Sequence, residues 1–307
     1  MNAPENPSTS RLLVFVLFCH AAWLSNGCGE HTSIVTTPKR SVVLADNTTA
    51  NATSPLIIVG GGGTPDVVKQ RAIELAGGPT APVVIIPQAS RRAESGAENV
   101  AFWKKTGATN VTALTLKPEQ RATEIALLKQ AKFIWFSGGD QSRLMDALRD
   151  ANLIDLIKQR HRAGIVIGGT SAGAAVMSQR MIIGNAELEA IVRGGTPLAD
   201  GLGLWPGTIV DQHFHRRRRF NRLLSAVLDH PDQVGIGIDE RTAVIVQADG
   251  FEVMGESSVL VIDARRAKAQ ADSVASNQSK HHDAQDVRVY LVSAGNAFSI
   301  TSLKKVE

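Results

Sequence analysis

A chain of 307 residues, 43% apolar and 20% charged, is long enough to bury a large core and has the composition of a globular protein, not of a disordered or fibrous one. A formal net charge of +4 is too small and too dispersed to argue for nucleic acid, and the one dense basic run, Arg216-Arg217-Arg218-Arg219, lacks interleaved aromatics. The only cysteines, Cys19 and Cys28, precede the globular part, so the folded domain has no disulfide, no thiolate metal site and no cysteine nucleophile.

In chain order, residues 12–24 form an apolar run of signal-peptide length, too short for a comfortable membrane span, with Arg11 as its positive flank. The run ends in Leu24-Ser25-Asn26-Gly27-Cys28, which resembles a bacterial lipobox, although the leucine stands one place further from the cysteine than usual. Residues 1–28 are therefore expected to be an export leader, and the protein to be periplasmic or extracellular, either free or attached to a membrane through a lipid on Cys28. Residues 29–54 are rich in Ser, Thr, Asn and Ala and read as a flexible linker.

Residues 55–307 read as a single α/β domain. Short apolar runs at Leu56–Val59, Val83–Ile86, Val111–Leu114, Phe133–Phe136 and Ile165–Ile167 alternate with helical patterns at about 66–77, 91–105, 118–130 and 142–160. Strands without polar alternation, separated by helices, predict a three-layer, mostly parallel, doubly wound sheet covered by helices on both faces. After residue 205 the chain becomes strand-rich, with runs at Thr208–Val210, Val234–Ile238, Thr242–Gln247, Phe251–Gly255, Ser258–Ile262 and Val287–Val292, and Asp249-Gly250 marks a hairpin. Arg265–Asp286 is a polar excursion. It contains His281-His282-Asp283, for which the sequence suggests no third metal ligand, so neither a metal nor a cofactor is expected.

The chemistry centres on Gly168-Gly169-Thr170-Ser171-Ala172-Gly173-Ala174, a strand, a tight turn and a helix start with serine at the apex of Gly-x-Ser-x-Gly. Small residues are needed on both sides of such a turn, which lifts the hydroxyl clear of the backbone and leaves the Ala172 N–H for a developing oxyanion. A serine needs a base, and His213 follows the apolar run 208–210, so it also falls at a strand end. A carboxylate should then orient the imidazole. Glu187, Glu189, Asp200, Asp211 and the pair Asp239-Glu240 are all candidates on position alone. Gly60–Gly63 match neither the Walker nor the dinucleotide pattern, and are read instead as backbone close to Ser171, with Gly61 and Gly62 supplying the second oxyanion N–H. Phe220, Leu223, Leu224, Val227 and Leu228 recur at helical spacing, and this stripe extended back one turn points Arg217 and Arg219 towards protein, as a pocket for carboxylates.

Taken together, Gly60-Gly61-Gly62, Phe136-Ser137-Gly138-Gly139-Asp140-Gln141, Gly169-Thr170-Ser171-Ala172-Gly173, Asp211-Gln212-His213-Phe214 and Gly235-Ile236-Gly237-Ile238-Asp239-Glu240 resemble the cyanophycinase family of serine peptidases, which also contains aspartyl dipeptidase E. The resemblance implies a class I glutamine amidotransferase-like fold with serine in place of cysteine, and a homodimer. It implies Ser171 as nucleophile, His213 as base and Glu189 as acidic partner, with Glu187 the near alternative. Gln141, Asp211, Gln212, Arg217, Arg219 and Arg222 match positions that line the family's substrate pocket. The implied substrate is a peptide or polymer rich in Asp and Arg, such as cyanophycin, cleaved at β-aspartyl linkages. An α-aspartyl dipeptidase and a non-catalytic anchored binding protein of the same fold are the alternatives.

Overall fold

Strand runs such as Leu56–Val59 are apolar at every position because each face of the sheet they build is covered. In this computed structural model, which describes residues 54–269 and 280–306, the first five strands are β1 (Leu56–Val59), β2 (Val83–Ile86), β3 (Val111–Ala113), β4 (Phe133–Phe136) and β5 (Val166–Thr170). The expected leader, Cys28, all but the last residue of the 29–54 linker and residues 270–279 of the polar excursion lie outside the described residues. The strands are separated by α1 (Asp66–Leu75), α2 (Ser95–Lys105), α3 (Arg121–Gln130), α4 (Gln141–Asp150) and α5 (Ile154–Arg162). Alternate side chains sort the helices. Ile57, Val59, Ile85, Phe133 and Trp135 pack against Val68 and Ala72 of α1 and Trp103 of α2, whereas Ile58, Ile86, Ile134 and Phe136 pack with Leu128, Leu144 and Ile157 of α3 to α5. The three layers follow directly.

After β5 the described chain forms α6 (Ala172–Ala175), β6 (Arg180–Ile182), β7 (Leu198–Asp200), β8 (Thr208–Asp211), α7 (Phe220–Asp229), β9 (Val234–Ile238), β10 (Thr242–Gln247), β11 (Gly250–Gly255) and β12 (Ser258–Asp263). The short pair β13 (Lys268–Ala269) and β14 (Ala284–Gln285) follows, then β15 (Arg288–Ser293), β16 (Ala297–Ser299) and β17 (Lys304–Val306). Among the described residues the large sheet runs β17-β16-β11-β10-β1-β5-β4-β2-β3, parallel from β1 to β3 and antiparallel from β1 to β17. A second sheet, β15-β12-β9-β8, joins β8 and β9 in parallel and carries α7 through Leu223 and Val227. The α/β class is the one expected, and the strand-rich C-terminal part both extends the first sheet and builds the second. Among the described residues no helix is long and apolar enough to cross a membrane.

Three details differ from the sequence expectation. The helix read at 142–160 is two helices, broken where Asn152 takes a positive φ of 51°. The stripe through Leu223 and Val227 does not extend back through the arginines: residues 214–218 form turns, α7 begins at Phe220, and Phe220 remains 39% exposed. Short strands such as β6, β7, β16 and β17 went unread, because two or three residues carry no usable periodicity.

The fold brings β1 and β4 to either side of β5, so the serine turn emerges between two strand ends. That turn is possible because two glycines meet: a Cβ on Gly169 would lie 2.5 Å from the Gly173 carbonyl oxygen, and one on Gly173 would lie 2.4 Å from that of Phe136. Both clashes are with backbone, which cannot step aside. Gly173→Ala should therefore cost on the order of 1–3 kcal/mol, measured as a lowered denaturation midpoint with an unchanged m-value.

Candidate active site

Ser171 sits at φ 53° and ψ −111°, a conformation that a side-chain-bearing residue holds only when its surroundings enforce it. Its N–H donates to the Val59 carbonyl at 3.0 Å, and its own carbonyl accepts from Ala174 and Ala175, so strand and helix grip it from both ends. The hydroxyl lies 2.8 Å from His213 Nε2. His213 is also at positive φ, 50°, held by its N–H to the Gly60 carbonyl at 2.7 Å and by Arg217 N–H donating to its carbonyl at 2.9 Å. The two groups expected to meet do meet.

The carboxylate that reaches His213 Nδ1 is Glu240, at 2.6 Å. Glu189, which the resemblance had implied, is not the partner. It is exposed on the loop between β6 and β7, where its N–H donates to the Glu187 carboxylate at 2.7 Å, and Glu187 is exposed as well. The reason lies in strand pairing. β8 and β9 are parallel with Asp211 opposite Gly237, so two residues further on His213 is level with Asp239, next to Glu240. The sequence signal existed, since Asp239-Glu240 is an acidic pair at a strand end, but choosing it required knowing that β9 is the neighbour of β8.

The glycine loop after β1 packs closely on His213 and Glu240. A Cβ on Gly61 would stand 2.3 Å from His213 Cε1, and one on Gly62 would stand 2.7 Å from Glu240 Cβ, so these residues pack on the base and its carboxylate. The glycine loop closest to the serine from the other side is Gly138: β4 pairs β5 with Phe136 opposite Gly169, and a Cβ on Gly138 would be 3.5 Å from Ser171 Cβ. Ala172 opens α6, where a backbone N–H has no intrahelical acceptor. Gly138 and Ala172 thus flank Ser171, and Gly138 is the neighbour that sequence reasoning missed.

A cleft of about 380 Å³ is lined by Ser171, His213, Gly138 and the expected Gly61 and Gly62, and also by Glu98, Asn99 and Phe102 of α2. The residues matched to a substrate pocket do not line this cleft. Asp211 is buried in a two-pronged pair with Arg222, whose Nε donates to Oδ2 at 2.8 Å and whose terminal nitrogen meets Oδ1. Arg219 donates to the Gln212 carbonyl at 2.5 Å and also to its side-chain oxygen, and it lies 3.6 Å from Asp211. Burial, with Arg222 and Arg217 nearby, lowers Arg219 to about 10 against the pull of Asp211, which still leaves it charged at neutral pH. Gln141 Nε2 donates to the Ile182 carbonyl at 2.7 Å, and Asp140 caps α4 through Ser142 and Arg143 N–H. Four of the six are therefore bound to one another beneath the site. Arg217 differs: it is exposed, its guanidinium has no hydrogen-bond or ion-pair partner among the described residues, and its charge is felt at His213.

Burial is the main force holding His213 below its usual pKa of 6.5; Glu240 opposes it, while Arg217 and Arg219 reinforce it. The imidazole is accordingly neutral at pH 7 and able to take the serine proton. Among the described residues no cluster of three or more metal-binding side chains is present.

A sequence profile described as Peptidase family S51 matches residues 56–254. The cyanophycinase of Trichormus variabilis is 35% identical over 276 residues, covering 86% of this chain and 92% of its own. That of Geminocystis herdmanii is 40% identical over 202 residues, covering 64% and 74%. Peptidase E of Pasteurella multocida is 24% identical over 187 residues, covering 58% and 77%. The crystal structure of a peptidase from an acI-B1 Actinobacterium matches with a TM-score of 0.58 at 24% identity, covering 81% of this chain and 98% of that one, a likeness of fold.

A protonated His213 cannot accept a proton, and its pKa is depressed, so labelling of Ser171 by a fluorophosphonate should persist at pH 6.5 and fall away only on further acidification. Arg217→Ala removes a cation that disfavours the imidazolium, so the midpoint of that acid limb should rise, by roughly a few tenths of a pH unit in physiological salt. A downward shift would show that Arg217 does not act on His213.

Proposed function

The chain belongs to peptidase family S51 and is a serine-type peptidase related to cyanophycinases and peptidase E; on that premise we propose that Ser171, His213 and Glu240 are its nucleophile, base and acidic partner. The observation that carries this is the unbroken relay from Ser171 Oγ to His213 Nε2 at 2.8 Å and from His213 Nδ1 to Glu240 Oε1 at 2.6 Å. Ser171 Oγ attacks the scissile carbonyl as His213 takes its proton. The tetrahedral oxyanion forms against the N–H groups of Ala172 and Gly138, and Glu240 stabilises the imidazolium. His213 then protonates the departing amine, leaving an acyl-enzyme on Ser171 that water hydrolyses in the reverse sequence.

The substrate in this proposal is a β-aspartyl peptide of the cyanophycin type, cut as by an exopeptidase. Two features support it. Relatives at 35–40% identity are cyanophycinases, and an uncommitted guanidinium, Arg217, stands by the base to receive an aspartate carboxylate. The peptidase E relative favours a second reading, an α-aspartyl dipeptidase. The proposal also includes export through the apolar run 12–24 and lipid attachment at Cys28, which rests on sequence pattern alone.

Ser171→Ala should abolish release of β-Asp-Arg dipeptide from cyanophycin. Glu240→Gln should lower kcat by about 10³–10⁴-fold, and Glu189→Gln should leave it near wild type; a full loss in Glu189→Gln with an active Glu240→Gln would reverse the assignment. Turnover of the polymer and of β-linked Asp-Arg peptides should exceed that of α-linked Asp-Arg, and the opposite order would establish the dipeptidase reading. For export, expression in a Gram-negative host should place the mature chain in the membrane fraction, and Cys28→Ala should release it to the periplasm; retention of both in the cytoplasm would remove this part of the proposal.

A further inference from the structure

We propose that Asp239, the neighbour of Glu240, is a positioning residue for this chemistry: its carboxylate ties the turn that carries His213 to the turn that carries Glu240. The inference rests on the triad assignment above and concerns how that triad is held.

Asp239 directly follows β9 and is partly buried. Its Oδ1 accepts the Arg216 N–H at 3.1 Å, three residues after His213. Its Oδ2 accepts the Ser257 hydroxyl at 2.9 Å, from the turn between β11 and β12. The Glu240 N–H lies near enough to favour its charged form. Burial alone would raise its pKa, but the Glu240 and Arg216 N–H groups, the Ser257 hydroxyl and nearby His215 outweigh that, so it stays ionised at neutral pH. One side chain thus touches three segments, two of which bear members of the relay.

Those segments need an external tie. His213 at φ 50° and Arg241 at φ 53° bracket the contact, and residues in this region cost free energy that neighbouring contacts must offset. The turn after β8 is fixed to the end of β9 by Phe214 N–H to the Ile238 carbonyl at 3.2 Å, a main-chain bond indifferent to sequence, and by Arg216 N–H to Asp239. Only the second depends on a particular side chain. The Asp239 carbonyl also backs onto Gly60, where a Cβ would lie 2.1 Å away, and Gly60 is the residue whose carbonyl holds His213 N–H. Asp239 reaches neither Ser171 nor His213 by a hydrogen bond or ion pair among the described residues, so it acts through the residues it orients.

The test uses the full chain with Asp239→Ala, Asp239→Asn and Ser257→Ala, following thermal melting, the rate of Ser171 labelling by a fluorophosphonate, and kcat and KM on β-Asp-Arg peptide. Asp239→Ala should label and turn over about 10–100-fold more slowly, with KM within about twofold of wild type, because a displaced base costs rate and not ground-state binding. Asp239→Asn keeps one acceptor oxygen and should recover part of the loss. Ser257→Ala removes one anchor and should slow labelling by about 2–5-fold, which keeps the inference testable if Asp239→Ala does not fold. Wild-type labelling and kcat in folded Asp239→Ala, or in both Asp239→Asn and Ser257→Ala, would overturn it, as would a change confined to KM. A wild-type protein that fails to label at all would instead defeat the Ser171 assignment, and this inference with it.

Discussion

The site depends on a single main-chain hydrogen bond, from His213 N–H to the carbonyl of Gly60 at 2.7 Å. Gly60 follows β1 of the large sheet, whereas His213 follows β8 of the small one, so this bond joins the carboxyl edges of two sheets. Gly60 N–H is in turn bound to Thr242 at the start of β10, and Arg241 N–H to Gly61. The glycine loop is therefore a junction that no Cβ could enter: its Cα atoms rest against the Asp239 carbonyl, the His213 ring and the Glu240 side chain in succession. Ser171 from one sheet and His213 and Glu240 from the other meet because this loop is bare.

Charge is distributed in two layers around that junction. Below, Asp211, Gln212, Arg219 and Arg222 satisfy one another, with Asp211 and Arg222 almost fully buried. A buried pair of this kind is costly to break, since removing one partner strands the other, and it fixes the start of α7 relative to the end of β8. Above, Arg217 is left with an unspent charge beside the base. Arg217 and Arg219 both disfavour the charged imidazole, so the same basic run bears on the packing around His213 and on its protonation state.

Local pattern determined much of this protein. Fully apolar strand runs, the helices between them and the glycines around Ser171 follow from burial and from the steric demands of a sharp turn, and these are properties of adjacent residues. Ser171 and His213 were legible for the same reason: each stands just beyond an apolar run, at an end where a parallel sheet gathers ligands. Residues in contact across strands were not legible. Glu240 lies 27 residues from His213 and reaches it only because β9 pairs with β8, and Gly138 flanks Ser171 only because β4 pairs with β5. The arginine run misled where helical spacing was extended past the true start of α7, since periodicity does not reveal where turns replace a helix. Which segments became elements was written locally; which carboxylate met the histidine, and which arginine stayed free, was decided by the order and register of the strands.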